Sequence, residues 1–166
     1  MSIKSKKSAV SKTSSKTTKS KRTKILCISH QEDADGISSA ALIKQAFGGD
    51  TILVDYPGMT DVLESLRNDE KLQKLFICDL GLNKQINDTF VDLLTELRKR
   101  RISVTYVDHH DIDPKIISKL KKIKVKLIHN TSECTSVLVY DTFKKKLSEH
   151  STFIAACGAI TDYMEN

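Results

Sequence analysis

Ile102-Ser103-Val104-Thr105-Tyr106-Val107-Asp108-His109-His110-Asp111 starts as a run of β-branched and aromatic residues and stops on four ionisable ones. The run is too short and too β-branched for a helix, so it reads as a buried strand. The same grammar recurs outward from it. Lys24–Ser29 is an apolar run that leads into His30-Gln31-Glu32-Asp33-Ala34-Asp35-Gly36. Lys74–Asp79 is another, closing on the carboxylate of Asp79. Thr51–Asp55 and Ile123–Ile128 bring the predicted strands to five, and the last alternates Lys with apolar residues, as an edge strand does. Helical spacing fills the intervals: Gly36–Phe47, Thr60–Asn68, Gln85–Arg101 and Pro114–Lys122, then Thr135–Lys146 and Glu149–Tyr163. Ile154 and Ile160 are expected to be buried anchors of the final helix. Alternation of strand and helix predicts an α/β fold, a parallel sheet of about five strands with helices on both faces.

Charge divides the chain. Its 166 residues carry a formal +6. Residues 1–24 hold nine Lys or Arg, eleven Ser or Thr and no acid. Such a segment cannot bury enough surface to offset its ordering entropy and is expected to be a disordered basic tail that touches polyanions loosely. Residues 25–166 balance at −3, so the basic pI does not mark a basic nucleic-acid-binding fold. Their length suits one domain and is short for two. No apolar run approaches the roughly 18 residues of a membrane span, and no apolar segment follows the basic start as in a secretory signal. Cys27, Cys78, Cys134 and Cys157 lie scattered without a CxxC pair, which points to reduced thiols and a cytoplasmic location.

The chemistry lies where the strands end. In an open α/β sheet, ligands bind outside the carboxyl ends of the strands. His30, Asp33 and Asp35 follow the first strand, Asp79 closes the third, and Asp108, His109 and His110 follow the fourth. Asp162 follows the apolar run Phe153–Ile160. Taken singly, each group has a plain structural reading: a turn with a helix cap, a strand-ending turn, a polar loop. Together they converge on one rim. Carboxylates with one or two imidazoles suit Mn²⁺ or Mg²⁺ and admit Co²⁺ or Zn²⁺. One ion with open positions needs about three protein ligands. The surplus of candidates predicts two ions, roughly 3.5–4 Å apart, sharing a carboxylate. Such a pair activates water and neutralises a phosphoryl group under in-line attack. Gly36 is expected to make a tight turn into a helix whose N-terminal dipole favours anions at the same rim.

Val107-Asp108-His109-His110 resembles the signature that names the DHH phosphoesterase superfamily. His30–Gly36 resembles its first motif, Cys78-Asp79 its second and Gly158–Asp162 its fourth, in the family's order over residues 24–163. The wording from Asp33 to Ala41 is most similar to the RecJ-like, archaeal branch. The resemblance implies a manganese-dependent phosphoesterase acting on phosphodiester bonds of nucleic acid or short oligonucleotides, with two ions. His30, Asp33 and Asp79 would hold one ion. Asp35, Asp79, His109 and Asp162 would hold the second. His110 would face the substrate phosphate, with Asp108 orienting the histidines from behind. Two alternatives share the resemblance. One is a pyrophosphatase or polyphosphatase with the same centre, and the other a non-catalytic scaffold partnering replication or repair proteins. Active relatives carry a C-terminal domain with a Gly-rich basic motif that clamps the substrate. Residues 25–166 match only the part before it, so a fragment of a longer enzyme, weakly active alone, is expected.

Overall fold

The structure, a computed structural model, describes residues 24–163. The expected disordered tail lies almost wholly outside them; its last residue, Lys24, already begins a strand. The elements in chain order are β1 (Lys24–His30), α1 (Ala34–Phe47), β2 (Asp50–Val54), α2 (Tyr56–Ser65), β3 (Leu72–Cys78), α3 (Asn87–Lys99), β4 (Ser103–Asp108), α4 (Pro114–Lys122), β5 (Lys126–His129), α5 (Thr135–Phe143) and α6 (Ser151–Tyr163). The strands form one sheet in the order β2-β1-β3-β4-β5, and every pairing is parallel.

Burial explains the near-continuous apolar strands, because both faces are covered. On one face α1, α5 and α6 pack together over Cys27, Phe76, Cys78 and Val107. On the other, α2, α3 and α4 cover Leu26, Ile28, Leu75, Ile77 and Tyr106. Phe90, Leu93, Leu94 and Leu97 form the buried stripe of α3, as its periodicity predicts. Cys27, Cys78 and Cys134 are buried free thiols, and Cys157 is half-buried.

Four expectations are corrected. The predicted helix from Thr60 starts earlier, at Tyr56, because the Asp55 side chain caps it by accepting from Gly58 N at 2.8 Å, with Pro57 in the first turn. Predicted helices ending at Asn68 and Lys146 finish as short 3₁₀ turns, Leu66–Asn68 and Lys144–Lys146. Gly36 lies inside the first turn of α1 rather than in a turn before it. It is needed because a Cβ there would stand 2.7 Å from the His30 Cβ. Ile160 is 61% exposed and anchors nothing. The face that α6 turns inward runs through Ser151, Ala155 and Gly158, one turn apart, and Ile160 points away from it. Ile154 is half-buried against the α1–α5 core.

The strand order reverses at β1, whose neighbours are β2 on one side and β3 on the other. That switch point opens a crevice between the carboxyl ends of β1 and β3. His30 and Asp79 stand at those two ends.

Candidate functional site

Asp79 is the centre of the arrangement. It follows β3 with φ 56°, a left-handed conformation unusual outside glycine, and its side chain is 1% exposed. Around it gather groups from three elements. The His30 ring is 3.9 Å away from β1, the His109 ring 3.4 Å away after β4, and the Thr135 hydroxyl donates to it at 3.0 Å from the start of α5. His30 is paired at 2.8 Å with Asp33, which also caps α1 by accepting from Gly36 N at 2.8 Å. The cap and the site residue are thus the same carboxylate. Ser29 Oγ bonds the Gly36 carbonyl at 2.7 Å and lies 3.1 Å from that of Cys78, tying β1, α1 and β3 together beneath the site.

The rest of the rim is equally specific. His109 sits between Asp79 and Asp162, 3.4 Å from each, so α6 brings its carboxylate to the sheet across the whole fold. Asp35, 1% exposed, turns both oxygens to the N-terminus of α5, accepting from Thr135 N at 2.7 Å and Ser136 N at 2.8 Å. Gly158 of α6 closes over this junction; a Cβ there would stand 2.8 Å from an Asp35 oxygen. Asp108, fully buried, holds His110 Nδ1 at 2.9 Å and lies 3.0 Å from the Tyr106 hydroxyl. It orients His110 and makes no bond to His109. The other ring nitrogen of His110 is 3.1 Å from the Tyr56 hydroxyl, and its carbonyl accepts from His129 at 2.7 Å.

The electrostatics follow from crowding carboxylates away from water. Burial raises the Asp79 pKa to about 9, and the charges of Asp35, Asp33 and Asp108 push the same way. Burial also raises Asp162, reinforced by Asp35 and Asp33. Burial opposes ionisation of Asp33 as well, but the Gly36 amide and the His30 ring outweigh it and lower its pKa. The Asp108 hydrogen bond raises His110 despite burial. Burial and then the charge of Asp79 raise the Tyr56 hydroxyl.

These residues fit divalent ions. Among the buried polar atoms, His30 Nε2 and Asp79 Oδ2 have no hydrogen-bond partner among the described residues, a state proteins rarely leave unexplained. His30, Asp33 and Asp79 present donor atoms within 4.8 Å of one another, as do Asp79, His109 and His110, and as do Asp35, Cys134 and Asp162. These groups bring together His30, Asp33, Asp35, Asp79, His109, His110 and Asp162 of the residues read from the sequence, while Asp108 lies buried behind them against His110. Sequence reasoning missed Tyr56, Cys134, Thr135, Ser136 and His129. Cys134-Thr135-Ser136 does precede a helical pattern, but nothing local shows that its amides meet a carboxylate 100 positions earlier.

A parallel sheet with a carboxylate–imidazole rim at its switch point is an α/β arrangement whose donor groups could hold metal ions. The chain belongs to the DHH family, whose N-terminal domain matches residues 24–161. Members of that family are generally metal-dependent phosphoesterase hydrolases. No curated protein matches the chain. Among solved structures, it is similar to an uncharacterized protein from Helicobacter pylori G27, at 20% identity and TM-score 0.57 over 80% of this chain. That likeness is one of fold, and the match spans 40% of the other protein's length. No helix among the described residues is long and apolar enough to cross a membrane.

Proposed function

We propose that the rim is the metal centre of a manganese-dependent phosphoesterase that hydrolyses phosphodiester bonds in nucleic acid or short oligonucleotides. The observation that carries this reading is Asp79. It is buried, left with an oxygen unpartnered, and stands between His30 with Asp33 on one side and His109 with Asp162 on the other. His30, Asp33 and Asp79 would hold one ion, and Asp35, Asp79, His109 and Asp162 the second. Bound there, two divalent ions would supply charge neutralisation for a phosphoryl group and a strongly acidified water.

The chain's own residues prepare the rest. Asp108 and Tyr56 hold the His110 ring at its two nitrogens, so the ring faces the rim in one orientation. The Asp108 hydrogen bond raises its pKa, and Nε2 could exchange the Tyr56 hydroxyl for a phosphate oxygen when substrate arrives. Asp33 arrives already ionised, because the Gly36 amide holds its other oxygen. A cleft of about 350 Å³, lined by Tyr56, Gly81, Leu82, Asn83, His110 and Asp111, opens beside His110 and would seat part of the substrate.

The test is a manganese-titrated assay on single-stranded DNA, RNA and dinucleotides, with Asp79→Asn as control. Metal-dependent cleavage by the natural sequence alone supports the reading. Equal activity in both would overturn it, and phosphate release from pyrophosphate without oligonucleotide cleavage would redirect it.

A further inference from the structure

The basic residues are not spread over the molecule. Among the described residues beyond Lys24, only Lys84, between β3 and α3, and Lys115, in the first turn of α4, follow the carboxyl ends of strands closely. The others fall in the last turns of helices, in the turns that follow them, or at the starts of strands. Helix C-termini favour cations, and that accounts for part of the pattern. It does not account for Lys74 and Lys126, which lie near the starts of β3 and β5.

These two converge with Lys146, from the turn after α5, on a patch of phenylalanines. The Lys74 ammonium lies 4.0 Å from the Phe47 ring centroid and 4.9 Å from that of Phe76. Lys146 lies 5.2 Å from Phe47, and Lys126 lies 5.3 Å from Phe143. The rings of Phe47 and Phe143 meet edge to face at 5.0 Å and are only half-buried. Among the described residues, no carboxylate pairs with any of the three lysines, although neighbouring Lys144 is paired with Asp141. Burial, and then the charges of Lys146 and Lys126, lower the Lys74 pKa, as expected for cations crowded without a counter-ion.

We propose that this end of the sheet, opposite the metal rim, is a docking surface for single-stranded nucleic acid, with Lys74, Lys126 and Lys146 holding phosphates beside Phe47 and Phe143. Cations interleaved with aromatic edges are the combination that tracks a strand without reading its sequence. An anionic membrane fits less well. Of the exposed large hydrophobics, Ile37, Leu53 and Ile160 lie towards the other end of the sheet, and Phe153, in the first turn of α6, is a single side chain where insertion needs an apolar face. The chain also enters β1 at this end, directly after a segment rich in Lys and free of acid, so two cationic features adjoin.

The surface needs no metal, so its test is separate from that of the rim. Fluorescence anisotropy of a labelled oligothymidylate is read with the full chain in EDTA, from about 50 to about 200 mM salt. In the triple variant K74Q/K126Q/K146Q, affinity should fall about tenfold and the salt slope should flatten by about two, at roughly 0.7 per lost phosphate contact. Lys115→Gln at the opposite end should change neither. Because Lys74 is half-buried, the exposed pair K126Q/K146Q provides a second variant, with proportionately smaller changes expected. Lysine acylation footprinting of the unaltered chain should show Lys74, Lys126 and Lys146 protected by the oligonucleotide. An unchanged slope in both variants overturns the proposal. So does protection confined to residues 1–23, or protection by phosphatidylserine vesicles and not by oligonucleotide.

Discussion

At the carboxyl end of the sheet Asp35, Asp79 and Asp108 are each no more than 1% exposed, whereas at the amino end Lys126 and Lys146 stand in solvent. The two ends carry opposite charge, but the deeper contrast is in burial. A solvated lysine costs the fold little and is an ordinary surface feature. A buried carboxylate is unfavourable unless something compensates it. Asp108 is compensated by Tyr106 and His110, and Asp35 by two amides of α5. Asp79 keeps an unpartnered oxygen. The acidic end therefore points to a dedicated cation partner, while the basic end supports only a shallow, salt-sensitive contact.

The sharpest way to break that contrast is Asp79→Asn. It should bring metal-dependent hydrolysis to background, exceeding the 10–100-fold loss of about that range typical of residues behind the ligands. Circular dichroism of the variant should be unchanged, which separates loss of chemistry from loss of fold. Asp35→Ala comes next. It removes a buried charged acceptor from Thr135 N and Ser136 N and should cost about 3 kcal/mol in denaturant unfolding, with Asp35→Asn costing less.

Protons and metal then sharpen the comparison. The folded pKa of Asp79, about 9, lies above its ordinary 3.8, so the folded state holds a proton that the unfolded state has lost. That stabilisation is complete below about pH 4 and lost as pH rises through about 9. The melting temperature of metal-free protein should fall over this window, and a flat profile would contradict the assignment. Excess Mn²⁺ should oppose the fall by replacing the proton, adding about 2.7 kcal/mol at a hundredfold excess over Kd. At the amino end effects should be small. Arg100 donates to the Leu66 carbonyl at 2.8 Å, and Arg100→Ala should cost about 1 kcal/mol. Ile160→Ala, at an exposed position, should stay within about 0.5 kcal/mol in the same unfolding assay.

The sequence made the rim legible because strand ends are local signals. Val107-Asp108-His109 and Cys78-Asp79 show apolar pattern turning to ionisable residues, and a parallel sheet sends all such turns to one end. Pro114–Lys122 was readable to the residue, since Asp113 caps it and Pro114 opens it. Ile160 was misread because apolarity alone does not say which face of a helix meets its neighbours. Gly158 settles that face by letting α6 approach Asp35, a contact with no trace in the local pattern.

By itself, then, the sequence determined the order of strands and helices and placed His30, Asp33, Asp35, Asp79, Asp108, His109 and His110 at strand ends. Periodicity and caps are set by residues a few positions apart. Asp162 beside His109 follows from the family resemblance and not from the local pattern, whereas tertiary structure alone decided that Asp35 braces α5 and that Tyr56 holds His110. It also decided that Asp79 is the carboxylate left short of a partner. Those facts depend on burial and on contacts between distant segments, and neither exists until the sheet has closed beneath them.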